Sequence, residues 1–517
     1  MHMKMKRYIA VPVITLLLSL PAFVACDGWL EATSSSQVSD KKLFSSRSGF
    51  HEALSGVYLT MAKTEAYGGD YTWRINDLIC VPYASQSNTF FRAFQQQNYT
   101  TSVAVPYLEQ MWQGGYNIIA NANKVLQELE NGRSVVTDDY EYNLIKGELL
   151  GIRAYVHFDL LRMFGPATWA GDNASKMVVP YVRSYGSDPE VQRTAAETAV
   201  LLLEDIQEAL KCLEADPVRG DVPERFETTI NTDGYWTDRQ RHLNYYAVEA
   251  LAARVAMWAG SFAQAYSLAE DVARNAVADG LVSWLDAEAL VQESTADFRD
   301  WTFSTEHLFS LDVTNLYDNC KDYFFPSSNS LATGYVLPEV IIAGLFPNSQ
   351  ELGWNDLNED VRGPACQMSF ISGGYTEGKF YGSSAYRPQL RCRMPMIRLS
   401  EMYYIMAEVR AASFDYGGAA ALLDEVRSHR GISRSLTEEP NAWIDLSMPS
   451  EFVQANFLEV LDDEYLKEFI GEGQYYPYLR RMWGQRRHYP YLVGLFSYNK
   501  VYPYPNEEIV YGRVQEL

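Results

Sequence analysis

Apolar side chains recur at intervals of three and four residues along much of the chain. The first two stripes consist of Trp112, Tyr116, Ile119, Ala120, Asn123, Leu126 and Leu129, followed by Leu144, Gly147, Gly151, Ala154, Tyr155, Phe158 and Leu161. This spacing places side chains on one face of an α-helix. Gly165-Pro166 is a typical helix stop. The pattern therefore predicts a helical pair near residues 107–165.

Two further helical pairs are predicted near residues 243–276 and 397–431. Small alanines on the stripes of the middle pair allow two helices to approach closely, and Gly260-Ser261 makes the turn between them. Units of two helices at irregular spacing are typical of degenerate tetratricopeptide repeats, in which each unit buries its apolar face against the next. We therefore expect a mainly α fold built on a degenerate tetratricopeptide-repeat helical scaffold.

Three long segments lack sustained periodicity, at residues 67–107, 217–240 and 284–393. They are rich in Gly, Ser, Asn, Tyr and Trp, which favours long loops with short strands. Insertions of this length inside a compact protein are usually functional. The second part of the predicted architecture is therefore a large, irregular, loop-rich lobe.

The N-terminus has the pattern of a targeting signal. Three basic residues precede an apolar stretch at residues 9–20 that is too short to span a bilayer as a helix. Phe23-Val24-Ala25-Cys26 resembles the lipobox of bacterial lipoproteins. We expect residues 1–25 to be removed, Cys26 to be acylated and residues 26–40 to serve as lipid anchor and tether. The alternative is an ordinary secretory signal that leaves a free Cys26.

Charge and motifs exclude several classes of function. The chain carries 66 acidic and 43 basic residues, a net charge of −23, which repels phosphate backbones and argues against nucleic acid as a partner. The sequence contains no zinc-type cysteine and histidine spacing and no protease, hydrolase, P-loop or dinucleotide motif. We expect no metal, no cofactor and no catalysis, and interpret Glu468 and Glu472 as structural ion-pair partners of Arg480 and Arg481.

Binding of sugars has a clearer basis in the composition. A pyranose ring needs flat aromatic surfaces for its C–H face and polar side chains for its hydroxyl groups. The chain has 36 Tyr and 11 Trp, several of them beside polar residues in the predicted loops. The candidate ligand contacts are Tyr71, Trp73, Arg74, Asn76, Asp77, Trp301, Tyr317, Tyr323 and Trp354. For Trp73 the alternative is a position in the core.

Several local motifs resemble one family in the same order along the chain. They are MWQGGYNIIANANKVLQEL at 111–129, GELLGIRAYVHFDLLRMFGPAT at 147–168, MPMIRLSEMYYIMAEVRA at 394–411 and VYPYPNEEI at 501–509. Together with the stretch that follows Cys26, they resemble the SusD/RagB family of outer-membrane nutrient-binding lipoproteins of Bacteroidetes. On this resemblance, residues 41–517 form one SusD-like domain.

The resemblance implies a lipoprotein anchored in the outer membrane and exposed at the cell surface. It would capture oligosaccharides and deliver them to a SusC-like TonB-dependent transporter, with the helices facing the transporter and the ligand site in the loops. The alternatives are a RagB-like peptide binder of a similar complex and a tetratricopeptide scaffold that binds only protein. An endo-acting glycosidase would be a further, catalytic alternative.

Overall fold

The computed structural model describes residues 40–84, 88–169, 171–220, 222–293, 299–326, 334–371, 373–380, 392–482 and 501–511. The predicted signal peptide, Cys26 and the tether up to residue 39 lie outside the described residues. In the part that is described, α-helices form the larger share of the regular structure.

The N-terminal half is built around one buried helix. Its helices are α1 (Arg47–Met61), α2 (Thr89–Gln95), α3 (Ala104–Asn131), α4 (Asp139–Phe164) and α5 (Ala195–Cys212). Helix α4 packs against both α3 and α5, and every residue from Gly147 to Phe164 is buried. The Asp138 carboxylate caps its first turn by accepting from the backbone N–H of Tyr140 at 2.9 Å.

The next pair consists of α6 (Tyr245–Trp258) and α7 (Phe262–Ala278), which pack against each other. The alanines Ala250 and Ala269 on the two helices are fully buried, which allows the close approach that the sequence predicts. Gly260 takes the left-handed conformation, with φ of +76°, in the turn between them.

The irregular lobe contains short helices and short strands. They are α8 (Ala287–Gln292), β1 (His307–Asp312), α9 (Leu316–Phe324), β2 (Leu337–Pro338), α10 (Glu339–Leu345), β3 (Asn348–Ser349), β4 (Trp354–Asn355), α11 (Asp356–Glu359), β5 (Met368–Ile371), β6 (Gly374–Glu377) and β7 (Arg393–Arg398). Strand β1 pairs antiparallel with β7, β6 lies between β2 and β5, and β3 pairs with β4.

Strands do not occur in the described parts of the other two loop-rich segments. Residues 67–107 contain successive turns, α2 and the start of α3, and residues 217–240 contain short 3₁₀ and π-helical turns. Local hydrogen bonds such as Asp70 N to Thr64 O, at 2.8 Å, satisfy the backbone there without a neighbouring strand.

The C-terminal helices complete the scaffold. They are α12 (Leu399–Ala412), α13 (Tyr416–Ser428), α14 (Ser450–Phe469), α15 (Tyr475–Met482) and α16 (Asn506–Val510). Strand β7 leads directly into α12, which packs against both α13 and α7. The predicted mainly α fold, a helical scaffold with a loop-rich lobe, is confirmed.

Buried ion pairs join the lobe to the C-terminal helices. Glu468 of α14 accepts hydrogen bonds from Arg362 at 3.0 Å, from Arg430 at 2.6 Å and from Arg398. All four residues are at most 1% exposed. Although burial opposes ionisation, the guanidinium groups of Arg430, Arg398 and Arg362 hold the pKa of Glu468 well below its ordinary value.

Glu468 and Glu472 are therefore ion-pair partners, but not those of the expected arginines. Glu472 accepts from Lys379 at 2.8 Å and belongs to the same network. Arg480 instead donates to main-chain carbonyl groups at the C-terminal end of α4, and Arg481 pairs with Glu408. Proximity in sequence does not identify these ion pairs, because the partners of Glu468 and Glu472 come from the lobe and from the chain after α13.

Replacing Glu468 by Gln leaves three buried guanidinium groups without their shared charge. We expect Glu468→Gln to lower the free energy of unfolding by about 3–5 kcal/mol, measured by chemical denaturation at pH 7. Glu451→Gln, at an exposed position of the same helix, serves as control and should change little.

The same pair of variants has a defined pH dependence. A depressed pKa in the folded state contributes stability above the unfolded-state pKa, and that contribution is lost as the pH falls through both values. The difference between wild type and Glu468→Gln should therefore narrow below about pH 4. A difference that stayed constant down to pH 3 would contradict a charge-based role.

Candidate functional site

Five of the predicted ligand contacts lie in the turn-rich segment at residues 63–83. Trp73 is fully buried, its Nε1 donates to Gly68 O at 3.2 Å, and its ring contacts those of Tyr323 and Phe324. Tyr71 is also buried and donates its hydroxyl to Met111 O at 2.6 Å. Trp73 thus occupies the core position that was its alternative interpretation, and its contact with a ligand stays a prediction.

Asn76 and Asp77 are directed into the protein. The Asn76 side chain donates to Tyr71 O at 2.9 Å and accepts from the Tyr502 hydroxyl at 2.8 Å. The Asp77 carboxylate accepts from the backbone N–H groups of Gly471 and Gly473. Burial raises the pKa of Asp77 to about 7. In this structure both side chains hold the segment in place.

Arg74 is the member of this segment that reaches the surface. Its side chain is 17% exposed, and its Nη2 donates to Asp70 Oδ2 at 2.8 Å. The guanidinium lies over the Tyr107 ring, 5.1 Å from the centroid. Among the described residues, Arg74 Nη1 has no hydrogen-bond partner.

Two half-buried rings, Tyr107 and Tyr323, lie near Arg74, and a third, Phe90, packs on Tyr107. The Tyr107 ring packs edge-on against Phe90, with centroids 4.9 Å apart. Burial raises the pKa of the Tyr323 hydroxyl, and the Arg74 guanidinium opposes this rise. We call the set of Arg74, Phe90, Tyr107 and Tyr323 the aromatic surface. It combines aromatic rings with the partly exposed Arg74 guanidinium, the kinds of group that a sugar ring requires.

A shallow groove of about 590 Å³ lies beside the aromatic surface. Its lining consists of Gln96, Gln97, Asn98, Tyr99, Thr100, Val501 and Pro503, and we call it the amide groove. The Phe94 ring of α2 contacts Tyr107 on one side and Tyr99 on the other, which makes the two sites neighbours. The sequence interpretation missed this groove, although four consecutive amides at 95–98 could have indicated it.

The remaining predicted contacts lie in the lobe. Trp301 is half-buried under Arg299, and Trp354 is buried against Trp443 and Arg434. Within the described residues, neither ring contacts the aromatic surface. Tyr317 is half-buried in α9, the helix that also carries Tyr323. The structure thus brings Arg74 and Tyr323 together, with Trp73 behind them, and the ligand contacts of all nine residues stay predictions.

The buried histidines of the described chain, His51, His157, His242 and His307, each have an internal hydrogen-bond partner. Burial lowers the pKa of His157 to about 3, and its Nε2 accepts from Val182 N at 2.9 Å. In the described ranges, no group of three or more His, Cys, Asp or Glu side chains is arranged to hold a metal ion. A helix long and apolar enough to cross a membrane is likewise not found in the ranges that were searched.

Two family models match separate parts of the chain. Residues 28–228 match a SusD-like family described as "Starch-binding associating with outer membrane", and residues 359–511 match the "SusD family". No curated protein sequence matches the chain.

Solved structures of SusD proteins share the fold. A SusD superfamily protein from Bacteroides thetaiotaomicron VPI-5482 is 22% identical, with a TM-score of 0.64 and coverage of 91% of this chain and 99% of that chain. A SusD-like carbohydrate binding protein from Bacteroides vulgatus ATCC 8482 is 16% identical, with a TM-score of 0.59 and coverage of 84% and 83%. At these identities the comparison supports the fold alone.

The burial of Trp73 and the exposure of Tyr107 predict different costs of truncation. Trp73→Ala should lower the free energy of unfolding by about 3–5 kcal/mol, because it leaves a cavity in the core. Tyr107→Ala, at a half-buried position, should cost roughly 1 kcal/mol. Urea denaturation followed by circular dichroism measures both, and a small cost for Trp73→Ala would mean that its ring is not a core element.

Proposed function

The chain belongs to the SusD/RagB family, and from this premise we propose that it is a cell-surface glycan-binding lipoprotein. It captures oligosaccharides and delivers them to a SusC-like TonB-dependent transporter of the outer membrane. The observation that carries the ligand part of the proposal is the aromatic surface and the adjoining amide groove.

The geometry of the two neighbouring sites supports a chain-like, polyhydroxylated ligand. Tyr107 and Tyr323 offer apolar rings, and Arg74 Nη1 offers a donor to hydroxyl oxygens. The amide groove adds neutral donors and acceptors in a row, including exposed Gln96 and Asn98. The two sites are neighbours through the buried Phe94 ring, which packs against Tyr107 and Tyr99.

A binding role is favoured over catalysis at this place. Glycosidases use two carboxyl groups flanking the scissile bond, one of which must be free to give or take a proton. Asp70, the carboxylate bound to Arg74, is fully buried and engages two guanidinium nitrogens. It therefore serves to orient Arg74.

Calorimetry or affinity gels with a panel of plant and host glycans test the proposal. We expect wild type to bind at least one glycan, and Tyr107→Ala to weaken that binding about tenfold, because the stacking partner of the sugar is lost. Phe414→Ala is the matched control, since Phe414 is 70% exposed in the turn before α13 and should leave the affinity unchanged.

Other outcomes identify the alternatives. Tight peptide binding without glycan binding would indicate a RagB-like peptide binder. Binding of a protein partner, together with no binding of any glycan or peptide, would indicate a tetratricopeptide scaffold. New reducing ends, after incubation of the pure protein with a polysaccharide, would indicate a glycosidase.

The anchoring part of the proposal rests on Cys26. In cells grown with labelled palmitate, the wild-type protein should incorporate the label and fractionate with the outer membrane. Cys26→Ala should lose both properties, because we expect the thiol of Cys26 to be the acylation site. Cys212→Ala, at a half-buried helix position, is the control. Label that persists in Cys26→Ala would contradict lipid attachment at this residue.

A further inference from the structure

Asp77 connects two parts of the chain that are far apart in sequence. Its carboxylate accepts from Gly471 N and, at 3.1 Å, from Gly473 N, across more than 390 residues of chain. Asp77 itself has no exposed surface. A direct contact between Asp77 and a ligand would therefore require this connection to open.

The Gly471–Gly473 turn is shaped to deliver both N–H groups to one carboxylate. Both glycines have positive φ, +87° and +70°, which favours glycine over other residues. A Cβ on Gly473 would lie 2.4 Å from Tyr71 O, and one on Gly471 would lie 2.7 Å from the Phe380 ring. The turn thus packs directly against the segment that carries Arg74.

The same turn is attached to the buried ion pairs. Glu472 lies between the two glycines and accepts from Lys379 at 2.8 Å and from Arg398 at 3.0 Å. The turn therefore has a fixed position relative to β7 and α14.

At its other end, the contact reaches Asp77, which lies three residues after Arg74 in the same segment. The main-chain carbonyl of Arg74 accepts from the Tyr335 hydroxyl at 2.7 Å, and Asn76 bonds to Tyr502. Asp77 supplies the link from this segment to the Gly471–Gly473 turn. Local backbone hydrogen bonds such as Arg74 N to Gly69 O, at 3.0 Å, shape the segment itself. The side-chain contacts to distant residues fix its position relative to the rest of the protein.

We propose that Asp77 is a positioning residue for the ligand site: its carboxylate clasps the 63–83 segment to the Gly471–Gly473 turn and thereby holds Arg74 in the aromatic surface. The inference rests on the proposed function, because it assigns to that ligand site the element that keeps it in shape. It also reassigns Asp77 from ligand contact to support.

Hydrogen exchange of the ligand-free full chain tests the contact between Asp77 and the Gly471–Gly473 turn, which we call the clasp. Asp77→Asn keeps one of the two acceptor oxygens and Asp77→Ala keeps neither, so exchange should rise in that order, both at residues 471–473 and within 68–83. Asp205→Asn is the matched control, because Asp205 is equally buried and binds Arg153 and Tyr181 within the helical scaffold. Faster exchange at 471–473 with unchanged exchange at 68–83 would overturn the proposal.

The affinity for a glycan that the wild-type protein binds tests whether Asp77 keeps the ligand site in shape. We expect Asp77→Asn to weaken binding about tenfold and Asp77→Ala further, while Asp205→Asn binds as wild type does even if its melting temperature falls. Unchanged affinity in Asp77→Ala would overturn the positioning role. If wild type binds no glycan, the proposed function fails, and the clasp is decided by the exchange data alone.

Discussion

The shared carboxylate of Glu468 is the constraint on which the arrangement of this protein depends. The three arginines around Glu468 share its carboxylate. Each also binds a second carboxylate, Asp360 for Arg362, Glu472 for Arg398 and Glu306 for Arg430, so the buried charges form one connected network. Arg362 comes from the lobe, Arg398 ends β7, and Arg430 follows α13. A shift of the lobe relative to α14 would break the bonds of Arg362 and Arg398 to the shared carboxylate. The ion pairs thus specify how the irregular lobe sits on the helices. Apolar packing alone is less directional and would fix this position less precisely.

The proposed ligand site depends on this network for its order. Helices supply their own backbone hydrogen bonds, whereas the 63–83 segment has to obtain part of its order from side chains of distant residues. Tyr335, Tyr502 and the Gly471–Gly473 turn provide those contacts. Glu472 of this turn binds Arg398, which also binds Glu468. An irregular segment can therefore present a defined surface without belonging to a helix or a sheet.

The helical scaffold could be predicted from the sequence because its signal is periodic. Trp112 and Trp258 lie on apolar stripes and are buried in the helices where those stripes occur. The site could be predicted only in part, since aromatic-polar composition does not distinguish a ring that faces solvent from one that faces the lobe. Trp73 and Arg74 are neighbours in sequence, yet one is core and the other reaches the surface. Helix α2 has seven residues, too few for periodicity to separate it from a loop.

Electrostatics narrows the chemistry that the proposed site can use. The chain has a net charge of −23, so its long-range field repels anionic ligands. At the aromatic surface the charge of Arg74 is balanced by Asp70, and the amide groove is lined by uncharged side chains. Recognition at the proposed site would rest on stacking and on hydrogen bonds from Arg74 and the amides, which are short-ranged. A neutral oligosaccharide satisfies these conditions. Moderate affinity also suits the proposed release of the ligand to a transporter, because a weaker affinity mostly means a faster dissociation rate.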